Sequence, residues 1–392
     1  MRIAVVCSDL GVRVPGTKGA SLHLESISRA LADLGHDVLL VGVRGHGQPL
    51  PGIRSFLLEH PGRSTGLRRE LRKIRFTAEL VHAALPEVTA FAPDVVYERL
   101  ALFGTAGRRL ARACSARHVV EVNALLAEEE AQWRGLRLAA LARRRERSVL
   151  DGADVRLAVS TEVAAQIDRV SPGGVTEVVT NGLDDTLFRV RPARGPARMF
   201  FGLPPDAPVL AFVGALRPWH GLDVAIRALP LLPTAVLCVA GDGPIRGPMG
   251  QLAEAIGVAD RVHWLGHRPH AEMPRLLAAA DLALAPYPEL PAFGFSPLKL
   301  YEYLGAGIPV VASDIGQIRS ALENGRWGSL VAPGDAEALA AGVRSVLADP
   351  AGARSRAEAA RSMALEHHSW RARATRITDL LTGREAQHAL AG

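Results

Sequence analysis

In the stretch Ser296-Pro297-Leu298-Lys299-Leu300-Tyr301-Glu302, one lysine and one glutamate stand three residues apart. Ser296 suits a helix N-cap and Pro297 the first helical position, so a helix is predicted to start there. The amino end of a helix carries free N–H groups and partial positive charge, which suits a phosphate. Lys299 adds a mobile cation in the first turn, and Glu302 lies on nearly the same face. A carboxylate at that place can accept two hydrogen bonds from vicinal hydroxyls, such as those of a ribose. Phosphate at the helix start and ribose one turn further in describe a nucleoside diphosphate. The spacing alone is met equally by a surface Lys299–Glu302 ion pair on an ordinary helix.

The elements that must carry these residues follow a repeating pattern. Ile3 to Cys7 reads as a short apolar strand, followed by a loop with Gly11, Gly16 and Gly19. A helix comes next with Leu24, Ile27, Leu31 and Leu34 on one face. Gly35 ends it, and Val38 to Val43 is the next strand. Further strands are predicted at 95–97, 118–122, 155–159 and 176–179. After a segment rich in Pro, Arg and Gly, Phe188 to Pro208, read as a linker, the rhythm restarts. The later strands are 208–214, 235–240, 262–264, 282–285 and 310–312. Strands alternating with helical stretches imply βαβ units and parallel sheets, so the fold class is α/β with two Rossmann-like domains facing a cleft. The domain boundaries are 1–188, 189–368 and a C-terminal helical segment, 369–392, that packs back on the first domain.

The chain has 392 residues, which suits two domains better than one core. Its net charge of +6 is mild for the size and almost all arginine, with lysine only at 18, 73 and 299. No apolar run approaches a membrane span, and Met1 leads directly into the first strand, which reads as a cytoplasmic protein. Cys7, Cys114 and Cys238 have no metal or disulfide spacing. Two arginine-rich stretches, Leu67 to Arg75 and Arg134 to Arg147, have two readings. One is contact with anionic lipid head groups at the inner face of a membrane, and the other is a solvated face over a buried stripe. Nucleic acid is excluded as a partner, because aromatics do not punctuate the basic runs and no known module is present.

With Gly307-Ile308-Pro309-Val310-Val311-Ala312-Ser313 added to the opening stretch, the sequence resembles the retaining GT-B glycosyltransferases usually numbered family four, in a Ser-Pro-x-Lys-x-x-Glu-Tyr branch. The resemblance covers nearly the whole chain. It implies that Glu302 holds the nucleotide ribose and that Gly294 stands where many members place a donor-sugar glutamate. In Phe212-Val213-Gly214-Ala215-Leu216-Arg217-Pro218-Trp219-His220-Gly221 the family's two diphosphate-binding positions fall on Ala215 and His220, with Arg217 as a substitute cation. His220 can donate to phosphate or serve in capping and packing. Arg217, Lys299 and Glu302 are therefore the catalytic candidates. The donor-binding candidates are Gly16, Lys18, Gly19, His220, Arg268, Gly294, Phe295, Ser296, Pro297 and Leu298. Gly16-Thr17-Lys18-Gly19 resembles the loop that approaches the donor phosphates, and Gly266-His267-Arg268 the segment that reads the base through its backbone. Gly241-Asp242-Gly243-Pro244 reads as a tight turn.

Tyr97-Glu98-Arg99 and Glu121-Val122-Asn123 end strands on the rim where acceptor is expected, and Asn123 replaces a histidine common in relatives. Glu98, Arg99, Glu121 and Asn123 are acceptor-side candidates, with a structural Glu98–Arg99 ion pair as the other reading. His23 is either acceptor-side or a packing residue. The implied reaction moves a sugar from a nucleotide diphosphate sugar, as co-substrate, to a glycan, lipid-linked or small-molecule acceptor with retention of configuration. No other cofactor is implied, and the absence of an Asp-x-Asp pair points to a metal-independent reaction. The rivals are a nucleotide-sugar epimerase on the same fold, a non-catalytic nucleotide-sugar-binding protein, and a dinucleotide oxidoreductase, for which the Gly-rich fingerprint is broken.

Overall fold

The computed structural model describes residues 1–383 apart from 49, 63, 291–293 and 295. Two compact units make up the chain. The first holds Met1–Asn181 with Gly294, Ser296 and the chain from Trp370, and the second holds residues 182–290 and Pro297–Ser369.

Continuous apolar runs such as Ile3-Ala4-Val5-Val6 lack the alternation of a half-exposed strand, and they become strands buried on both faces of a parallel sheet. In the first unit these are β1 (Arg2–Val6), β2 (Arg13–Val14), β3 (Asp37–Arg44), β4 (Arg54–Leu58), β5 (Val95–Arg99), β6 (Arg117–Val122), β7 (Val155–Ala158) and β8 (Thr176–Val178). Their order is β2-β3-β1-β5-β6-β7-β8, with β4 also on β3, and every pair is parallel. Ile3 lies opposite Val38 on one side and Val95 on the other. The helix Gly19–Asp33 buries Leu24, Ile27 and Leu31 along one stripe. The helix Trp370–Thr382 packs against it, and Arg117 Nη1 donates to Leu381 O at 2.6 Å.

The second unit contains β9 (Val209–Val213), β10 (Val236–Ala240), β11 (Val262–Gly266), β12 (Leu282–Ala285), β13 (Val310–Ser313) and β14 (Ser329–Val331). They form a parallel sheet in the order β11-β10-β9-β12-β13-β14. Its core gathers Leu210, Phe212, Leu237 and Leu284 from the strands with Leu222, Ile226, Leu339 and Val343 from covering helices.

The segment 188–208 is more than a linker. It contains the helix Arg194–Phe200, whose Arg198 is buried, donates to Ala279 O at 2.9 Å and pairs with Asp281 at 2.6 Å. Those long-range partners draw the segment into the second unit. No helix among the described residues is long and apolar enough to cross a membrane.

Candidate functional site

Both sheets reverse their strand order, and an open parallel sheet takes ligands outside the carboxyl ends of the strands at such a reversal. In the second unit the reversal lies between β9 and β12. Lys299 reaches that place from the helix Leu298–Ala306. Its Nζ lies 4.6 Å from the ring centre of Phe212 in β9 and 4.8 Å from that of Tyr287, just after β12. The residue is 8 % exposed, and Nζ has no hydrogen-bond partner among the described residues. Burial brings its pKa from 10.5 down to about 7. A Cβ on Gly214 would stand 3.6 Å from Nζ, an ordinary contact, and it is the φ of +136° at that position that favours glycine.

Glu302, one turn further along, does not pair with Lys299. Its Oε1 accepts from His270 Nε2 at 2.7 Å, with side-chain exposures of 14 % and 25 %. The surface Lys299–Glu302 pair is therefore not formed. Burial, then the charge of Lys299, lowers the pKa of His220 to about 3, so its ring is neutral. Nδ1 lies 2.6 Å from Ala215 O, an acceptor, and so carries the proton. In that tautomer Nε2 is the acceptor, and the ring spends its one N–H on Ala215 O, the capping contact that the sequence also allows. Arg217 is half-buried, with its guanidinium 5.9 Å from the ring centre of Trp219. Arg268 is already engaged: Nε donates to Leu265 O at 3.1 Å, and the guanidinium lies over Phe201.

The helix begins one residue later than the sequence suggests, with Pro297 as the N-cap and Leu298 as its first residue. Ser296 is no cap, because its Oγ accepts from Asn181 N at 3.0 Å and its carbonyl from Asn181 Nδ2. Phe295 lies outside the described residues. The tight turn after β10 is bound to β9: a Cβ on Gly241 would stand 1.9 Å from Gly214 O. A separate cavity of about 320 Å³ in this unit contains none of these residues, and its Arg191 and Arg194 are neutralised by Glu358 and Asp281 at 2.5 and 2.6 Å.

In the first unit the order reverses at β1, between β3 and β5. One buried carboxylate organises the polar groups there. Glu121, ending β6, accepts from His23 Nε2 at 2.7 Å, from Arg99 Nη1 at 2.9 Å, and from Tyr97 Oη and Asn123 Nδ2. Burial alone would raise its pKa, but His23, Arg99 and the hydrogen bonds outweigh it and hold the carboxyl far below the usual range. His23 is buried, and its other face meets Trp370 at 4.7 Å between ring centres. His23 is thus a packed member of the network, while Arg99 and Asn123 are partly exposed.

Glu98 is not an acceptor-side residue. Its carboxylate accepts from Gly107 N at 2.9 Å, Arg108 N at 3.0 Å and His118 Nε2 at 2.9 Å, all in the interior. It therefore caps the helix Ala106–Cys114, whose Thr105 makes no cap bond. The structural Glu98–Arg99 pair is not formed either, because Arg99 turns to Glu121. Gly16 N donates to Glu25 Oε1 at 2.8 Å, and a Cβ at Gly16 would stand 2.4 Å from Arg13 O. Lys18 is the N-cap of the helix Gly19–Asp33, and both Lys18 and Gly19 are exposed. At Gly294 a Cβ would lie 3.1 Å from Val163 Cγ2, and its carbonyl accepts from Ser160 Oγ. Among the described residues no cluster of three His, Cys, Asp or Glu side chains could hold a metal.

Three partners were missed from sequence: His270, Trp370 and Tyr287. Each comes from a different element than the group it touches, so no local spacing betrays it.

Residues 17–187 match the family described as Glycosyltransferase Family 4, and residues 196–363 that described as Glycosyl transferases group 1. The glycogen synthase of Mycobacterium tuberculosis is 29% identical over 96% of this chain and 93% of that protein. A GDP-mannose-dependent alpha-(1-6)-phosphatidylinositol monomannoside mannosyltransferase of Mycolicibacterium smegmatis is 33% identical over 74% of this chain and 76% of that protein. Among solved structures, sucrose-phosphate synthase from Thermosynechococcus elongatus superposes with a TM-score of 0.81 at 22% identity, over 99% of this chain and 100% of that one. Two parallel Rossmann-like units with this likeness are the GT-B fold. The chain belongs to the group 1, family 4 glycosyltransferases, enzymes that move a glycosyl group from a nucleotide sugar to an acceptor.

Proposed function

We propose that the donor is a nucleoside diphosphate sugar held by the second unit, with its diphosphate against Lys299 and Arg217 and its ribose on Glu302. One observation carries this reading: Lys299 is buried at the β9–β12 reversal, and its Nζ has no hydrogen-bond partner among the described residues. A buried cation without a partner is costly, and an anionic ligand satisfies it. Arg217 adds a charge that does not titrate.

The transfer proceeds with retention by front-side attack. The bond from C1 of the sugar to the diphosphate oxygen breaks, and the bond from C1 to the acceptor oxygen forms on the same face. The acceptor proton passes to an oxygen of the departing diphosphate. Catalysis then rests mainly on stabilising that leaving group, which is the part played by Lys299 and Arg217. Arg99 and Asn123, anchored by Glu121, serve the acceptor side. No metal or organic cofactor takes part in this scheme.

The test is a panel of nucleotide sugars, first by thermal shift and then by release of nucleoside diphosphate, with the product anomer read by NMR. Lys299→Ala and Arg217→Ala should each slow turnover at least tenfold, and Glu302→Ala should weaken nucleotide binding. Intact turnover in both cation variants, or an inverted product, would refute the scheme.

One observation also favours a peripheral lipid contact. Leu67 and Leu71 are 37% and 52% exposed at the start of the helix Gly66–Phe91, beside exposed Arg68 and Arg75. A buried stripe of Leu67, Leu71 and Ile74 was the competing reading: Ile74 packs on the core and the helix buries Phe76, Leu80 and Ala84 beyond it, while Leu67 and Leu71 stay outside that stripe. Sedimentation with anionic vesicles should therefore be lost in Leu71→Ser; equal binding of variant and parent would sink the idea.

A further inference from the structure

The loop that leaves β11 carries a side chain that no nucleotide-site reading of the sequence includes. His270 opens a short 3-10 turn, His270–Glu272, and sends its ring to the helix Leu298–Ala306, 32 residues further on. There Nε2 donates to Glu302 Oε1 at 2.7 Å. The other carboxylate oxygen, Oε2, takes no hydrogen bond from the described residues. Glu302 is thus held by one oxygen and left open at the other, at 14 % side-chain exposure.

A carboxylate on a helix has several rotamers, and an unheld one must lose that freedom when it grips a diol. A hydrogen bond from a ring on a separate loop removes the freedom in advance. It leaves Oε1 with one further lone pair and Oε2 with its full capacity, enough for two vicinal hydroxyls. The loop itself is fixed. Gly266 turns it at a φ of +67°, Arg268 Nε donates back to Leu265 O, and Arg268 faces Glu272 at 3.8 Å. His270 is therefore presented by an anchored turn, and it ties the loop after β11 to the ribose carboxylate.

We propose that His270 is a positioning residue for nucleotide recognition, holding Glu302 in the rotamer that accepts both ribose hydroxyls. This rests on the assignment of the ribose to Glu302. A merely structural role, pinning one loop to one helix, would lower stability without changing which nucleotides bind. The distinguishing readout is the preference for ribonucleotides over deoxyribonucleotides.

The experiment is calorimetric titration of the full chain with GDP, UDP and ADP and with their 2′-deoxy and 3′-deoxy counterparts. Four proteins are compared: the parent, Glu302→Ala, His270→Ala and His270→Gln. The parent should favour the ribo forms, and Glu302→Ala should abolish that preference. His270→Ala should reduce it about tenfold, the worth of one hydrogen bond to a charged group. His270→Gln, which keeps an N–H donor, should recover most of it. If Glu302→Ala retains the preference, the ribose assignment itself is wrong. If Glu302→Ala loses it while His270→Ala keeps it, the ribose assignment stands and the role given to His270 falls, even where the melting temperature of His270→Ala drops.

Discussion

Raising the pH from 7 to 9 should titrate the donor site through one group, Lys299. Burial sets its pKa at about 7. The neighbours stay silent in this window: His220 is already neutral with a pKa of about 3, and burial pushes the Tyr287 phenol well above its usual value. A nucleoside diphosphate beside the ammonium favours the charged form, so binding takes up a proton. Each pH unit above about 7 then weakens binding about tenfold, or about 1.4 kcal/mol, while the terminal phosphate of the ligand has its own titration near ~6. At pH 8 calorimetry in two buffers of different ionisation enthalpy should record close to one proton taken up per nucleotide. Lys299→Arg, charged throughout, should record none and bind with little pH dependence. Lys299→Met should bind weakly at pH 7 and match the parent near pH 9. The same shift has a stability side. The unfolded lysine titrates near 10.5, so between pH 7 and 10.5 the unfolded chain holds a proton that the folded chain has lost, and stability rises with pH. Below pH 7 the full penalty is present, on the order of 5 kcal/mol, and the two ring faces return part of it. Lys299→Met should therefore be more stable than the parent at pH 7 while binding nucleotide less well. Flat affinity from pH 7 to 9, with no proton uptake at pH 8, would refute the reasoning.

Two further outcomes follow from other buried carboxylates. Glu98→Ala strands two helix N–H groups and the ring of His118 in the interior, so urea unfolding should show a loss of about 3 kcal/mol, with nucleotide affinity of the folded protein unchanged. A loss of acceptor turnover without a loss of stability would return Glu98 to the acceptor side. Glu146 is pushed up to about 7, first by burial, against the N–H groups of Ala127 and Leu126 that it accepts from. Between the unfolded value of 4.5 and about 7 the folded chain holds the extra proton, so stability falls as pH rises through that window. Glu146→Gln should then gain about 3 kcal/mol at pH 8 and nothing at pH 4, measured by urea midpoints.

What was legible in the sequence depended on how far apart the interacting residues lie. Buried parallel strands appear as unbroken apolar runs, and β12 spans the same residues, 282–285, in the sequence and in the structure. The short strands β2, β4 and β14 carry too few residues, or too mixed a pattern, to declare themselves. The same limit governs the site. Lys299 and Glu302 stand out because both occupy one helix, but the spacing cannot tell whether they face each other. Their partners decide that: Phe212 and Tyr287 turn the lysine inward, and His270 draws the glutamate away. Glu98 misleads for the same reason. At a strand end beside an arginine it looks like a rim group, and only the fold brings Gly107 N, Arg108 N and His118 onto its carboxylate. A charged residue at the end of a β-strand can thus serve a ligand or a helix terminus with the same local sequence. The two are separated by whether the fold leaves it a hydrogen-bond partner: Glu98 has three, and Lys299 Nζ has none among the described residues. That unsatisfied cation, unlike any spacing, is what singles out Lys299 as the proposed binding group.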